Sequence, residues 1–300
     1  FPALYNFAMT GPGISTVIKK ISGFATRRSM PTLYRTTLKK WHRRWTAQQP
    51  QGHAAAQQKT VYLFCDEFTN YNDVEIGVKA IRLLDRLGYS VVIPDHLESG
   101  RTWLSKGLLR KAKRIANENI SLLAPLITDE TPLIGLEPSA ILSFRDEYID
   151  LADEQNFEAS KKLAASVFTF EEFLAREVEQ GRVRADQFTT ERRSISLHGH
   201  CQQKAVSSLL PSVKILSLPA NYSVEVIPSG CCGMAGSFGF EKEHFDISMK
   251  IGELVLFPAV RTKAGTSLIA AAGTSCRHQI KDGTAVTSMH PAEILFDALV

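Results

Sequence analysis

The sequence predicts an α/β chain of two similar tandem units, each a largely parallel sheet flanked by helices, behind an N-terminal helical arm. Three observations lead there. From Lys59 onward, short β-branched runs alternate with helical patterns, the signature of strand–helix–strand units around a parallel sheet. The same order of elements then returns from about residue 193. The first 58 residues differ in kind, with nine Lys and Arg and no acid, whereas residues 59–300 hold 26 bases against 31 acids.

In the arm, TLYRTTLKKWHRRWTAQ (32–48) sets Leu38, Trp41 and Trp45 on one helical side and Lys39, Lys40, Arg43 and Arg44 on the others. This predicts a basic amphipathic helix. Its tryptophans suit packing on a neighbouring domain, and the same pattern suits an anionic membrane surface. Residues 46–58, with Pro50 and Gly52, read as a linker. The expected organisation is a connector and linker over 1–58, a first unit over 59–150, a helical insert over 151–192 and a second unit over 193–300.

Strands are expected at 60–66, 90–94, 132–136, 194–199, 223–228 and 266–271, and helices at 73–88, 103–124, 138–150, 154–162, 169–180, 201–210, 241–258 and 291–299. In the first unit a strand ending near Cys65 leads through SVVIP and a loop ending in Gly100 to PLIGL and PSAILSFRDEY. In the second, a strand reaching Cys201 leads through VEVIP and a loop ending in Gly233 to SLIAA and GTSCRHQ. Glu98 and Ser99 take the places of Cys231 and Cys232, and Ala140 that of Cys276, so only Cys65 keeps its sulfur. The first unit reads as a duplicate whose site has been dismantled.

A chain of 300 residues that is 44% hydrophobic can build about two cored domains. No run approaches the ~20 apolar residues of a membrane span, and residues 1–20 lack a secretory signal pattern. Five cysteines, an odd number, are too few for a disulfide scaffold of this size and suit a reducing compartment, so a cytoplasmic setting is expected. The chain starts at Phe1 without an initiator Met, which suggests a piece of a longer protein. Because the +4 net charge sits in the arm, it points to a local partner surface and not to nucleic acid.

The chemistry gathers in four cysteines, Cys201, Cys231, Cys232 and Cys276. Thiolates are soft ligands for zinc, copper(I) or iron–sulfur clusters, and four of them complete either a zinc site or the cysteine set of a cluster. Each is expected after a strand, at a helix start, where backbone N–H groups favour an anion. Aiming two adjacent sulfurs at one site needs an unusual backbone, and Gly230 and Gly233 flank the pair where positive φ would be required. Cys65, inside the apolar run VYLFCD, reads as a core residue. A disulfide of the vicinal pair, or a redox pair of Cys201 and Cys276, is the alternative use of the sulfurs. His198, His200, His278 and His290 lie near these loops and read as capping or outer hydrogen-bonding partners, with direct ligation as the alternative. Arg277 could offset thiolate charge.

A twice-repeated unit with Cys, then Cys-Cys-Gly, then a further Cys resembles the cysteine-rich CCG domain. That domain occurs in the B subunit of heterodisulfide reductase, the iron–sulfur subunit of glycolate oxidase and the C subunit of anaerobic glycerol-3-phosphate dehydrogenase. The likeness covers about residues 59–300. The strings LHGHCQQKA, IPSGCCGMAGSFGFEKEHFDISMKIGELVLFPAVR, GTSCRHQI and HPAEIL are similar to the C-terminal region of fused FAD-linked, iron–sulfur D-2-hydroxyacid dehydrogenases. The arm PTLYRTTLKKWHRR is similar to that family's connector after its ferredoxin-like segment.

The resemblance implies an electron-transfer region with one iron–sulfur cluster, 4Fe-4S in type, on Cys201, Cys231, Cys232 and Cys276, with zinc as the alternative. It further implies FAD in an upstream region, flavin and ferredoxin-like domains as partners, and a quinone or carrier protein as acceptor. Substrates would be lactate, 2-hydroxyglutarate or glycolate, and 32–48 could touch the inner membrane surface. Gln279 stands where the heterodisulfide reductase pattern has a last cysteine, so a five-cysteine cluster is not implied. This stretch alone is not expected to be catalytic.

Overall fold

A computed structural model of the chain describes residues 1–48 and 59–300. The arm begins with α1 (Pro2–Thr10) and α2 (Ile14–Ile21), which pack together, and continues to α3 (Leu38–Gln48). The helix expected over 32–48 starts later, where Thr37 Oγ1 accepts from Lys40 N at 3.2 Å and caps the first turn. It also runs through Thr46, Ala47 and Gln48, the start of the expected linker, whose remaining residues lie outside the described ones. Leu38 is fully buried against Gly77, and Trp41 and Trp45, stacked at 5.7 Å, pack on the first unit. Among the described residues no helix is long and apolar enough to cross a membrane.

The apolar run KTVYLF forms β1 (Lys59–Phe64), buried at Val61, Leu63 and Phe64. After α4 (Glu67–Tyr71) and α5 (Val74–Arg86), β2 (Tyr89–Val92) returns parallel to β1. The single helix expected over 103–124 is two, α6 (Arg101–Ser105) and α7 (Leu109–Leu123), divided at Gly107 with φ +70°. β3 (Leu133–Gly135) then joins the other side of β1. Next come α8 (Pro138–Ile141), α9 (Glu147–Leu151), α10 (Phe157–Ala165), β4 (Val167–Thr169) beside β3, and α11 (Phe170–Glu179). The stretch 151–192, expected as a helical insert, therefore supplies a strand of the first sheet. Three residues are too few to show an alternation of their own.

The second sheet holds β5 (Arg193–His198), flanked after α12 (Cys201–Val206) and α13 (Leu210–Leu216) by the parallel β6 (Tyr222–Val226). The helix expected over 241–258 is split at Val255 into α14 (Phe245–Leu254) and α15 (Leu256–Lys263). β7 (Leu268–Ala271) lies on the other side of β5 and is followed by α16 (Thr274–Thr284) and α17 (Pro291–Ala298). Met289 adds a parallel bridge beyond β7, so the order β2-β1-β3-β4 returns as β6-β5-β7-Met289. Two similar tandem units with parallel sheets are thus the observed architecture.

The helices behind these strands are capped by side chains at one end of each sheet. Asp66 accepts from Phe68 N and Thr69 N, Glu137 from Ser139 N, His200 from Gln202 N, and His290 from Ala292 N. Thr169 with Glu172, and His290 with Glu293, complete capping boxes on α11 and α17. One apolar core runs from Val61, Ile81 and Leu84 of the first unit to Ile195, Leu197, Ala270 and Leu295 of the second.

Candidate metal centre

Parallel strands deliver their following loops to one end of the sheet, and in the second unit that end carries the sulfurs. Cys201 is the first residue of α12, Cys276 stands in the first turn of α16, and Cys231 and Cys232 occupy the loop after β6. The pair is not at a helix start, contrary to expectation, because the next α-helix begins only at Phe245. The four thiols gather closely enough to perturb one another's protons, Cys231 with Cys201 and Cys232, and Cys232 with Cys276. Cys201 and Cys231 are exposed, whereas Cys232 and Cys276 are buried next to Met234, Phe257 and Ile280. The constellation is therefore open at one end and sealed by apolar packing at the other.

The loop geometry differs from expectation at one glycine. Gly233 does adopt φ +96°, and a Cβ there would meet the Ser248 carbonyl oxygen at 2.4 Å. Both conformation and space demand glycine. Gly230 has no positive φ and open space around it, so the turn is made instead by Gly233, Ala235 and Gly236, all with positive φ. The turn aims Gly233 N at Cys231 Sγ, 3.3 Å away. Lys204 ties the strand end in place by donating to the carbonyls of Ser229 and Gly230 at 2.7 and 2.9 Å.

Sulfurs this close divide their protons unequally. Hydrogen bonds from Cys201 and Cys232 hold the Cys231 thiol far below its usual range, and Cys232, then His198 and His200, do the same for Cys276. Cys201 and Cys232 move up because they hydrogen-bond to those thiolates, with burial acting in the same direction. Full ionisation of all four needs a cation among them. His198 adds a buried nitrogen: a ring nitrogen of His198 and the sulfurs of Cys232 and Cys276 lie within 4.8 Å of one another. Its Nδ1 meets Ser229 Oγ at 2.7 Å, and its Nε2 makes no hydrogen bond of good geometry among the described residues, although the ring lies close enough to Cys276 to help lower that thiol's pKa. This donor set fits a metal ion or cluster bound through thiolates.

The other expected residues fall in different places. His200 caps α12 and lies 3.7 Å from Glu137, with its ring packed over Gly273 beside Cys276. His278, expected near the cofactor, is turned to the arm, 2.8 Å from Ser29 Oγ and 2.9 Å from the Ser29 carbonyl. His290 is buried against the Leu136 carbonyl. Arg277, next to Cys276, pairs with Asp73 of the first unit at 2.5 Å.

Four contributors went unrecognised in the sequence. Ser229 and Gly273 adjoin the motifs and could have been suspected from that. Glu137 and Arg28 carry no local signal. Glu137 accepts from Thr274 N at 2.7 Å, joining the first unit to the start of α16. Burial alone would raise its pKa, but His200, Thr274 N, Ser139 and Arg277 hold it below the usual value. Arg28, fully buried, donates to the Gly239 carbonyl at 2.8 Å, Gln279 Oε1 at 2.7 Å and Asp282 at 3.1 Å.

The first unit shows how such a site closes without sulfur. Cys65 precedes the cap Asp66, so the residue that opens α4, as Cys201 opens α12, is Glu67. Its carboxylate accepts from Ser99 N at 2.9 Å and Ser99 Oγ at 2.8 Å, while Tyr148 donates to the Ser99 carbonyl at 2.9 Å. Cys65 is a buried thiol whose pKa burial pushes up, as its place in an apolar run suggested.

No family model matches the chain. It is 27% identical over 305 residues to D-2-hydroxyglutarate dehydrogenase of Escherichia coli (strain K12), covering 99% of this chain and 29% of that protein. The same-named protein of Pantoea ananatis is 25% identical, with 99% and 28% covered. The C subunit of anaerobic glycerol-3-phosphate dehydrogenase of Escherichia coli (strain K12) is 26% identical over 279 residues, 91% of this chain and 66% of that one. The chain thus spans less than a third of the hydroxyglutarate dehydrogenases it matches and is related to oxidoreductases of two kinds. A crystal structure of a hypothetical protein from Helicobacter pylori aligns over 96% of the chain with a TM-score of 0.45 and 10% identity.

Proposed function

We propose that this chain is the electron-transfer region of an FAD-linked oxidoreductase acting on a D-2-hydroxyacid, and that Cys201, Cys231, Cys232 and Cys276 hold one iron–sulfur cluster. The observation behind this reading is the gathering of four mutually perturbing thiols, two exposed and two buried, with the buried His198 imidazole grouped with Cys232 and Cys276. The relatives add that proteins of this sequence type include a hydroxyacid dehydrogenase and one component of a glycerol-3-phosphate dehydrogenase. A bound cluster would supply one-electron relay between a flavin and an acceptor such as a quinone or carrier protein. The chain's own residues hold the sulfurs in register, keep water from Cys232 and Cys276, and leave the Cys201 and Cys231 edge open to a partner domain.

Anaerobic purification tests the reading. A brown protein with iron and acid-labile sulfide, both lost in Cys232→Ser, is expected; a colourless protein without iron would sink it. A second reading, a structural zinc site, is favoured by the membership of Cys232 and Cys276 in an apolar core cluster. One equivalent of zinc without sulfide, surviving aerobic handling, would select it.

A further inference from the structure

We propose that His198 is itself a ligand of this centre, so that its donor set is mixed nitrogen and sulfur and not thiolate alone. The inference rests on the reading that the constellation holds a metal, and it concerns which atoms do so. Counting cysteines suggested that four sulfurs fill the ligand shell and leave the histidines outside. The geometry around His198 points the other way.

His198 ends β5 and is 1% exposed, so water does not reach its ring. Leaving a buried nitrogen without a partner costs about 1–3 kcal/mol, and native proteins rarely leave one so. Nδ1 is engaged by Ser229 Oγ at 2.7 Å, and that hydroxyl lies 3.5 Å from the Ile227 carbonyl, to which it donates. In the tautomer this favours, Nδ1–H donates to Ser229 and Nε2 presents a lone pair. Metal-bound histidines are oriented in this way, by a hydrogen bond on the nitrogen that does not ligate.

Distance supports the same assignment. Zinc binds nitrogen at about 2.0–2.1 Å and sulfur at about 2.3 Å, so two donors on one ion are at most about 4.6 Å apart. The His198 nitrogen and the two buried sulfurs all lie within 4.8 Å of one another. That bound lies just above the limit, so a small closing movement would let the three donors share one zinc or iron ion, including a single iron of a cluster. A core histidine with no such role would be expected to satisfy both nitrogens or to lie at the surface. A neutral imidazole adds a donor without adding negative charge, and histidine ligation raises the potential of other iron–sulfur sites where it takes the place of thiolate.

The test uses the full chain, prepared anaerobically as wild type, His198→Ala, His198→Cys and Ser229→Ala. For iron, pulsed EPR of the reduced protein reads nitrogen hyperfine coupling; for zinc, X-ray absorption reads the nitrogen and sulfur shell. A nitrogen ligand in the wild type is expected, lost in both His198 variants. His198→Cys should keep its metal in an all-sulfur shell and, if iron is bound, have a lower reduction potential. Ser229→Ala should weaken metal binding about 10- to 100-fold, measured by competition with a chelator. An all-sulfur shell in metal-loaded wild type would overturn the assignment of His198 while leaving the metal reading intact. A wild type that binds neither iron nor zinc would overturn both.

Discussion

Glu171 is fully buried beside Thr169, and neither carboxylate oxygen makes a hydrogen bond of good geometry among the described residues. Burial pushes its pKa up to about 7. An acid with a raised folded pKa adds stability in full below its unfolded pKa, and that contribution is lost as pH rises through the folded value. Glu171→Gln should therefore match the wild type near pH 4 and exceed it by about 3 kcal/mol above pH 7, at 1.36 kcal/mol per pKa unit. Urea unfolding of both proteins across pH 4–8 measures the difference, and a flat difference would rule this out. Neighbouring residues elsewhere show how little a residue type says alone. Arg27 and Arg28 adjoin in ATRRSM, yet Arg27 is exposed in a pair with Asp246, while Arg28 is buried among three segments.

At the scale of elements, that arginine attaches the arm to the second unit. Its donors reach the loop that follows the Cys-Cys-Gly turn at Gly239, α14 at Ser248 and α16 at Gln279, three residues beyond Cys276. Gln279 in turn donates to the Ser248 carbonyl at 3.0 Å, the atom that closes the space around Gly233. The basic arm was expected to serve a partner surface, and for Arg28 that surface is inside this chain. Arg28→Met should cost about 3 kcal/mol, because it strips a buried pair of one member. Arg27→Met should change stability by less than about 1 kcal/mol, as for exposed pairs. Denaturant titration reads both, and limited trypsin digestion should cut the arm of Arg28→Met sooner; equal effects of the two substitutions would contradict this account.

Across the whole molecule, the two units are not independent. The shared core, the Arg277–Asp73 pair and the Glu137–Thr274 hydrogen bond cross between them, and α17 packs on α5. Calorimetry should then find one transition for the chain, with calorimetric and van't Hoff enthalpies equal, and residues 193–300 expressed alone should show no cooperative melting. The sequence by itself determined the α/β class, the two units, the four sulfurs and the burial of Cys65. These follow from periodicity, residue chemistry and order along the chain, all properties of short segments. Tertiary structure alone decided that Val167–Thr169 is a strand, since so short a run is defined only by its neighbour in the sheet. It also decided that Gly233 and not Gly230 makes the turn, that His278 faces Ser29, and that His198 faces the buried sulfurs. In each case the orientation is set by residues brought close only by the fold, some more than 200 positions away in sequence, and no local pattern records them.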